Sequence, residues 1–257
     1  MRRPTAAFPL IILAAAALAA CASMSGPDRD AAIAGAVADS TRPAADTARD
    51  PERKPVETLA FAGVKPGDKV MDFMAGGGYF TRLFGDVVGP GGHVYAVEPK
   101  EVFTFPSAVK NTADLQAWAA VHSNVSVSID PAMNALQVPE PLDLFWISQN
   151  YHDLKDKFMG PLDPAVFNRA VYAALKPGGT YVILDHAAVK GAPSEVTETL
   201  HRIDPEVVRR EVEAAGFKFE GESTILANPD DPHTVKVFDK SIRGHTDQFI
   251  YKFRKPQ

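Results

Sequence analysis

The chain has 257 residues, 46% of them hydrophobic and 23% charged, with 21 Pro and 18 Gly; this ordinary globular composition excludes collagen-like, wholly disordered and polytopic membrane classes. A formal charge of -5 at pH 7 offers no clustered Lys and Arg to wrap a phosphate backbone, so nucleic acid is not an expected partner. The single cysteine, Cys21, excludes an intramolecular disulfide framework and a Cys-rich zinc site.

Residues 1–20 have the layout of an export signal: Arg2 and Arg3 make a short positive start, residues 8–20 are uncharged and apolar, and Leu18-Ala19-Ala20-Cys21 closes the run. That run is too short to span, since a helix of this length reaches about 20 Å against a hydrocarbon core of about 30 Å. The closing tetrapeptide resembles the bacterial lipobox, whose cysteine is diacylated and becomes the first mature residue. This implies a lipid anchor at Cys21 and a place in the bacterial cell envelope, facing the periplasm. Translation from Met24 would instead give a cytoplasmic protein. Residues 21–50 are rich in Ala, Asp, Thr, Ser and Pro, and Met24, Ile33 and Val37 are their only large apolar side chains. So little apolar surface does not offset the entropy of ordering, and a disordered tether is expected there, leaving one domain over 51–257.

Within that domain helical and strand patterns alternate. A helix is expected over 52–61, ending in the turn Val64-Lys65-Pro66-Gly67-Asp68, followed by a short buried strand over 69–73. Gly76-Gly77-Gly78 then opens a helix with Phe80, Leu83, Phe84, Val87 and Val88 on its apolar side. Strands follow at 93–97, 125–129 and 142–147, with a helix over 113–121 before the second of these. Asp163-Pro164 and Asp204-Pro205 each supply an N-cap followed by proline at the first helical position. Between them lies a strand at 180–184, after the turn Lys176-Pro177-Gly178-Gly179. Strands at 217–225 and 248–253 complete the chain. Such alternation implies an α/β fold with a mostly parallel sheet covered on both faces, whose ligands sit beyond the carboxyl ends of the strands.

The residues after the first strand narrow the ligand class. Asp72-Phe73-Met74-Ala75-Gly76-Gly77-Gly78-Tyr79 ends a strand with an acid and enters a helix through three glycines. A glycine turn lets the backbone approach a ligand, and a helix N-terminus offers free N–H groups. Glu98, at the end of the second strand, is placed to accept both hydroxyls of a ribose. The dinucleotide pattern G-x-G-x-x-G needs glycine where this chain has Thr81, and the Gly-Lys-Ser/Thr of a Walker loop is absent.

Residues 70–79, 94–99 and Leu175-Lys176-Pro177-Gly178-Gly179 together resemble the class I S-adenosylmethionine-dependent methyltransferases. The resemblance implies a Rossmann-like, doubly wound, mostly parallel sheet with an antiparallel strand near the C-terminus. It implies S-adenosylmethionine as cofactor, with Asp72 near its methionine part, Gly76, Gly77, Gly78 and Tyr79 beneath it, Glu98 on the ribose and Asp130 facing the adenine amino group. Met74 departs from the family, which usually has glycine there. Tyr151-His152-Asp153, Asp185-His186, Leu200-His201-Arg202 and Gly244-His245-Thr246-Asp247 resemble, more narrowly, a set of often exported bacterial methyltransferases without an assigned substrate.

Methyl transfer is an in-line displacement in which the protein positions the acceptor and, where needed, removes its proton. His152 is the candidate general base, oriented by Asp153 or Asp185, and Asp185-His186 forms a second polar cluster. His152, His186 and His201 with these acids could bind a metal, but no HxH or HxxxH spacing supports one, so no metal ligand is assigned. The expected activity is methyl transfer to a small-molecule or envelope acceptor; the alternative is a noncatalytic ligand-binding envelope lipoprotein on the same scaffold.

Overall fold

The computed structural model describes residues 26–132, 136, 139–160 and 162–257. The export signal, Cys21 and Met24 lie outside the described residues. Among the described residues seven strands, β1 (Lys69–Phe73), β2 (His93–Pro99), β3 (Val125–Asp130), β4 (Leu142–Ser148), β5 (Leu175–His186), β6 (Lys218–Ser223) and β7 (Gln248–Arg254), form one sheet. Their order is β3-β2-β1-β4-β5-β7-β6. Strands β1 to β5 pair in parallel, and β7 runs antiparallel to both neighbours. This is the Rossmann-like α/β sheet expected from the sequence.

The helices are α1 (Gly26–Ala38), α2 (Ala44–Thr47), α3 (Asp50–Arg53), α4 (Pro55–Ala62), α5 (Tyr79–Val88), α6 (Pro106–Ala119), α7 (Pro164–Ala174), α8 (Val196–Leu200) and α9 (Pro205–Ala214). Two apolar layers cover the sheet. On one face Phe73, Phe145 and Tyr181 pack with Phe167 of α7 and Val208 and Val212 of α9. On the other, Trp146, Val182 and Ile250 pack with Leu59 of α4, Phe80, Leu83 and Phe84 of α5 and Ile33 of α1. Central strands buried on both faces read as continuous apolar runs, as β4 does. The two Asp-Pro starts behave as expected, Asp163 accepting from the Ala165 N–H at 2.8 Å and Asp204 from the Glu206 N–H at 2.9 Å.

The structure differs from the sequence reading most at residues 26–50. In place of a tether, α1 buries Ile33 and Ala36 in the layer of α5, and the segment after it is held by charge. Arg42 donates to both oxygens of Asp50 at 2.7 and 2.8 Å, and Arg82 Nε donates to Asp46 at 2.6 Å. Counting apolar residues missed this, because a short helix laid on an existing surface needs only a narrow apolar stripe and its polar remainder finds partners across the interface. Smaller differences follow from backbone chemistry. The helix expected over 52–61 is broken at Lys54, which takes φ 42°. The helix expected from 113 begins at Pro106, a residue pre-set for a first turn. The turn expected at 176–179 lies inside β5, where the pairing with β4 shifts register between Leu142 and Leu144.

Chain order reverses between β1 and β4, whose neighbours on either side are β2 and β5. The carboxyl ends of these strands therefore open on one crevice, which carries the candidate site.

Candidate functional site

The turn after β1 makes the crevice floor. Met74 takes φ 58°, Gly76 φ 56° and Gly78 φ 78°, so the chain enters the left-handed region at every second residue. For glycine this costs nothing, while for Met74 it carries a penalty of about 1–2 kcal/mol. A Cβ on Gly78 would also overlap Leu115 of α6. Glu98 accepts from the Gly76 N–H, which ties the end of β2 to the turn. Asp72 accepts from the Thr81 hydroxyl at 2.6 Å. Burial pushes the carboxyl of Asp72 up to about 7 and that of Glu98 up to about 7, since a low-dielectric surrounding disfavours the charged form. Both acids are thus poised for donors that would restore their charge.

Three hollows share walls and form one bent cleft. A chamber of about 510 Å³ is lined by Glu98, Met74 and Gly76 with Val102, Phe105 and Ala108. A smaller one of about 210 Å³ lies between Asp72, Gly77, Tyr79, Arg53 and Ser148; it shares Met74, Gly76, Gln149 and Asn150 with the first. A third, of about 630 Å³, shares Gln149, His186, Val237 and Phe238 with the first. Apolar side chains beside Glu98 suit a nucleoside. The smaller chamber is polar, and the Ser148 hydroxyl on its wall is buried with no partner among the described residues. An unsatisfied hydroxyl beside an arginine suits the amino and carboxylate groups of an amino acid. The residues present therefore fit the parts of S-adenosylmethionine.

Most of the residues assigned to the cofactor from sequence meet here. Asp72, Gly76, Gly77 and Tyr79 line the smaller chamber and Glu98 the first, while Gly78 caps α5 behind them. The Tyr79 hydroxyl donates to Asp50 at 2.6 Å. Asp130 does not join them; it is exposed at the end of β3, beside Pro99, and lines none of the three chambers.

The polar residues after β4 and β5 converge on the first chamber. Asp185 accepts from the His152 backbone N–H at 2.8 Å and from His152 Nδ1 at 2.9 Å. The other ring nitrogen, Nε2, lies 3.2 Å from Asp153 Oδ1 and 3.4 Å from His201 Nδ1. Burial works against a charged His152, but Asp185 and Asp153 outweigh it and raise its proton affinity well above the ordinary value. A histidine held in its charged form is a poor proton acceptor, so the base role expected for His152 does not follow from its surroundings. His186 is the opposite case: burial pushes it down to about 4, leaving it neutral, and its Nδ1 shares a 2.7 Å hydrogen bond with the Thr246 hydroxyl.

Sequence reasoning missed Arg49 and Arg53. Arg53 donates to Gln149 Oε1 at 3.1 Å and lies 4.7 Å from the Tyr79 ring centroid. Burial, with Arg49 second, lowers its guanidinium to about 10. Both arginines belong to the segment read as a tether or to its edge, and neither sits in a motif. His201 belongs to the histidines that the sequence groups with His152 and His186, but at 49 positions from His152 no spacing predicts that the two rings meet.

No family model matches the chain. It is 30% identical over 132 residues to the ubiquinone/menaquinone biosynthesis C-methyltransferase UbiE of Hydrogenovibrio crunogenus, covering 51% of this chain and 47% of that protein. To the protein of the same name from Shewanella woodyi it is 26% identical over 196 residues, covering 76% and 67%. The chain thus spans about half the length of the first relative and two thirds of the second. Among solved structures, a SAM-dependent methyltransferase from Aquifex aeolicus superposes with a TM-score of 0.54 at 19% identity, covering 81% of this chain and 95% of that one. The fold is that of the class I S-adenosylmethionine-dependent methyltransferases.

Proposed function

We propose that this chain binds S-adenosylmethionine in the cleft and transfers its methyl group to a small acceptor held in the 630 Å³ chamber. The observation that carries the reading is the convergence of Asp72, the glycine turn and Glu98 on one cleft that continues into a second chamber past Gln149. Bound there, S-adenosylmethionine supplies an electrophilic methyl on a positively charged sulfur. Glu98 holds the ribose through its hydroxyls, and Asp72 with the Ser148 hydroxyl takes the amino end, Arg53 the carboxylate. Gln149, just past the end of β4, lines both the cofactor and the acceptor chambers and sets the line along which acceptor and methyl meet. His186, kept neutral by burial, accepts a hydrogen bond from the acceptor.

Apart from Arg53, which is given to the cofactor's carboxylate, the acceptor chamber carries Arg49, Lys240 and Arg243 against the acid Glu52. That balance favours an acceptor with an anionic group in a protein that is acidic as a whole. Export and acylation at Cys21 belong to the same proposal and rest on the charged start, the apolar run and the closing tetrapeptide; the mass of the mature N-terminal peptide from cells tests them.

The test of the activity is transfer of label from methyl-labelled S-adenosylmethionine to a panel of small anionic acceptors, with Glu98→Ala and Asp72→Ala beside the wild type. Label in product from the wild type alone supports the reading. Tight cofactor binding without transfer to any acceptor would leave a binding protein on a methyltransferase scaffold.

A further inference from the structure

We propose that His152, Asp153 and His201 form a binding site for one divalent first-row transition-metal ion, of the zinc class, on the wall of the first chamber. Their Nε2, Oδ1 and Nδ1 atoms are mutually 3.2, 3.4 and 3.9 Å apart. Ligands at about 2.1 Å from a tetrahedral zinc ion are separated by about 3.4 Å, so the three atoms already stand near the corners such an ion requires. Two imidazoles and a carboxylate suit zinc, iron, cobalt or nickel rather than magnesium or calcium.

Hydrogen-bond accounting points the same way. A carboxylate only accepts, so Asp185 fixes a proton of His152 on Nδ1 and leaves Nε2 facing Asp153 Oδ1 and His201 Nδ1, where a cation would take the place of the proton that Nε2 otherwise carries. Two ring nitrogens and one carboxylate oxygen, all possible metal ligands, then face one another. A single added proton satisfies one of these contacts at a time, whereas a cation among them satisfies all three. The second oxygen of Asp153 is held by Asn150 Nδ2 at 2.8 Å, which leaves Oδ1 for the ion. A histidine ligand whose other nitrogen donates to a buried carboxylate is the usual outer support of a metal site. Positive charge is also short: against the three buried acids Asp153, Asp156 and Asp185 stands only the His152 ring, no lysine or arginine pairs with them among the described residues, and Asp156 Oδ1 has no hydrogen-bond partner among those residues. The residues line the same chamber as Glu98, so an ion there keeps an open face toward the cleft. The site stands on these contacts alone and does not depend on the functional reading above.

The test uses the full chain stripped of metal, titrated with CoCl₂ by visible absorption and with ZnCl₂ by calorimetry. One equivalent should bind at micromolar or lower Kd, with the intense Co²⁺ bands of a site of low coordination number. Asp153→Asn should weaken binding at least about tenfold, and Asp185→Asn by about 10- to 100-fold through the histidine it orients. Because those two positions are buried, the partly exposed His201→Ala serves as the variant least dependent on refolding, and it too should lose at least about tenfold. A folded wild type that takes up no stoichiometric ion, or a folded His201→Ala that binds as tightly as wild type, overturns the proposal and leaves a proton-sharing histidine cluster. S-adenosylmethionine is titrated separately into the wild type, so either reading can fail while the other holds.

Discussion

The floor of the cleft and its N-terminal wall are held by different forces. The floor, from Asp72 to Gly78 with Glu98, hangs from the carboxyl ends of two strands buried on both faces, and its position is set by the sheet. The wall, from Arg42 to Arg53, contains two four-residue helices that cannot stand alone. It is fastened by Arg42 to Asp50, Tyr79 to Asp50 and Arg82 to Asp46. Burial by a sheet is collective and tolerates loss of any one contact, whereas a wall made of a few ion pairs depends on each.

The largest expected effect breaks the wall. Asp46→Ala leaves the guanidinium of Arg82, whose side chain is 10% exposed, without its carboxylate, with the Gly77 carbonyl as its remaining hydrogen-bond partner among the described residues and the Trp118 ring 5.7 Å away. Removing one member of a buried pair costs about 3–5 kcal/mol, or about 10 °C in melting temperature for a domain of this size. The same change at Asp30, exposed beside Arg29, should stay within about 0.5 kcal/mol. Denaturant unfolding of both variants measures the contrast, and equal stabilities would show that the wall is not held as described.

The next effect sits on the floor. Glu98→Gln keeps an acceptor for the Gly76 N–H but removes the charge that would meet the ribose. Loss of a charge-assisted hydrogen bond of about 1.5–3 kcal/mol weakens S-adenosylmethionine binding by about 10- to 150-fold. The apo protein should meanwhile become more stable at pH 8, because the replaced acid is disfavoured in its buried charged form. A variant that loses both affinity and stability would show Glu98 to be a structural group.

This contrast also explains what was legible in the sequence. A buried parallel strand followed by glycines imposes its own residue types: apolar runs at β1 and β4, small residues where the backbone turns, an acid near the ends of β1 and β2. Asp72, Gly76 and Glu98 were readable for that reason, as were the Asp-Pro starts of α7 and α9. Arg53 and Asp46 were not, because an ion pair across an interface leaves no periodicity and looks like the solvated residues of a tether. Asp130 fits the same reasoning from the other side, since β3 is the outermost strand on its edge and its end faces solvent. His152, Asp153 and His201 meet through the packing of α8 against the turn after β4, which no spacing rule records.

Acidity separates floor and wall as well. Asp72 and Glu98 are raised by burial to about 7 from ordinary values of 3.8 and 4.5. The unfolded chain then releases these protons first as pH rises, so the folded state binds more protons between about pH 4 and 7. Stability from these two groups is full below pH 4, declines across that window and is level above 7. Subtracting the profile of the double variant Asp72→Asn/Glu98→Gln isolates the slope. Affinity for S-adenosylmethionine should run the other way, rising about tenfold per unit as Glu98 ionises on approach to pH 7. Parallel rather than opposed profiles would sink the assignment of Glu98 to the cofactor.

The smallest effect lies where wall and core join. Lys54 links α3 to α4 with φ 42°, a conformation that costs a non-glycine residue about 1–2 kcal/mol. Its ammonium donates to the Ile225 carbonyl at 2.6 Å, but the residue is exposed and that bond is worth about 0.5 kcal/mol. Lys54→Gly removes both, and also loosens the unfolded chain by a comparable few tenths to one kcal/mol. The net gain should be about 0.5 kcal/mol, a rise of about 1–2 °C in melting temperature. The sign is the informative part. A gain means that the joint is strained and that the wall is pulled into place by its ion pairs from beyond it. A loss means that Lys54 is itself a fastening, and that the wall has one more tie to the domain than its buried pairs provide.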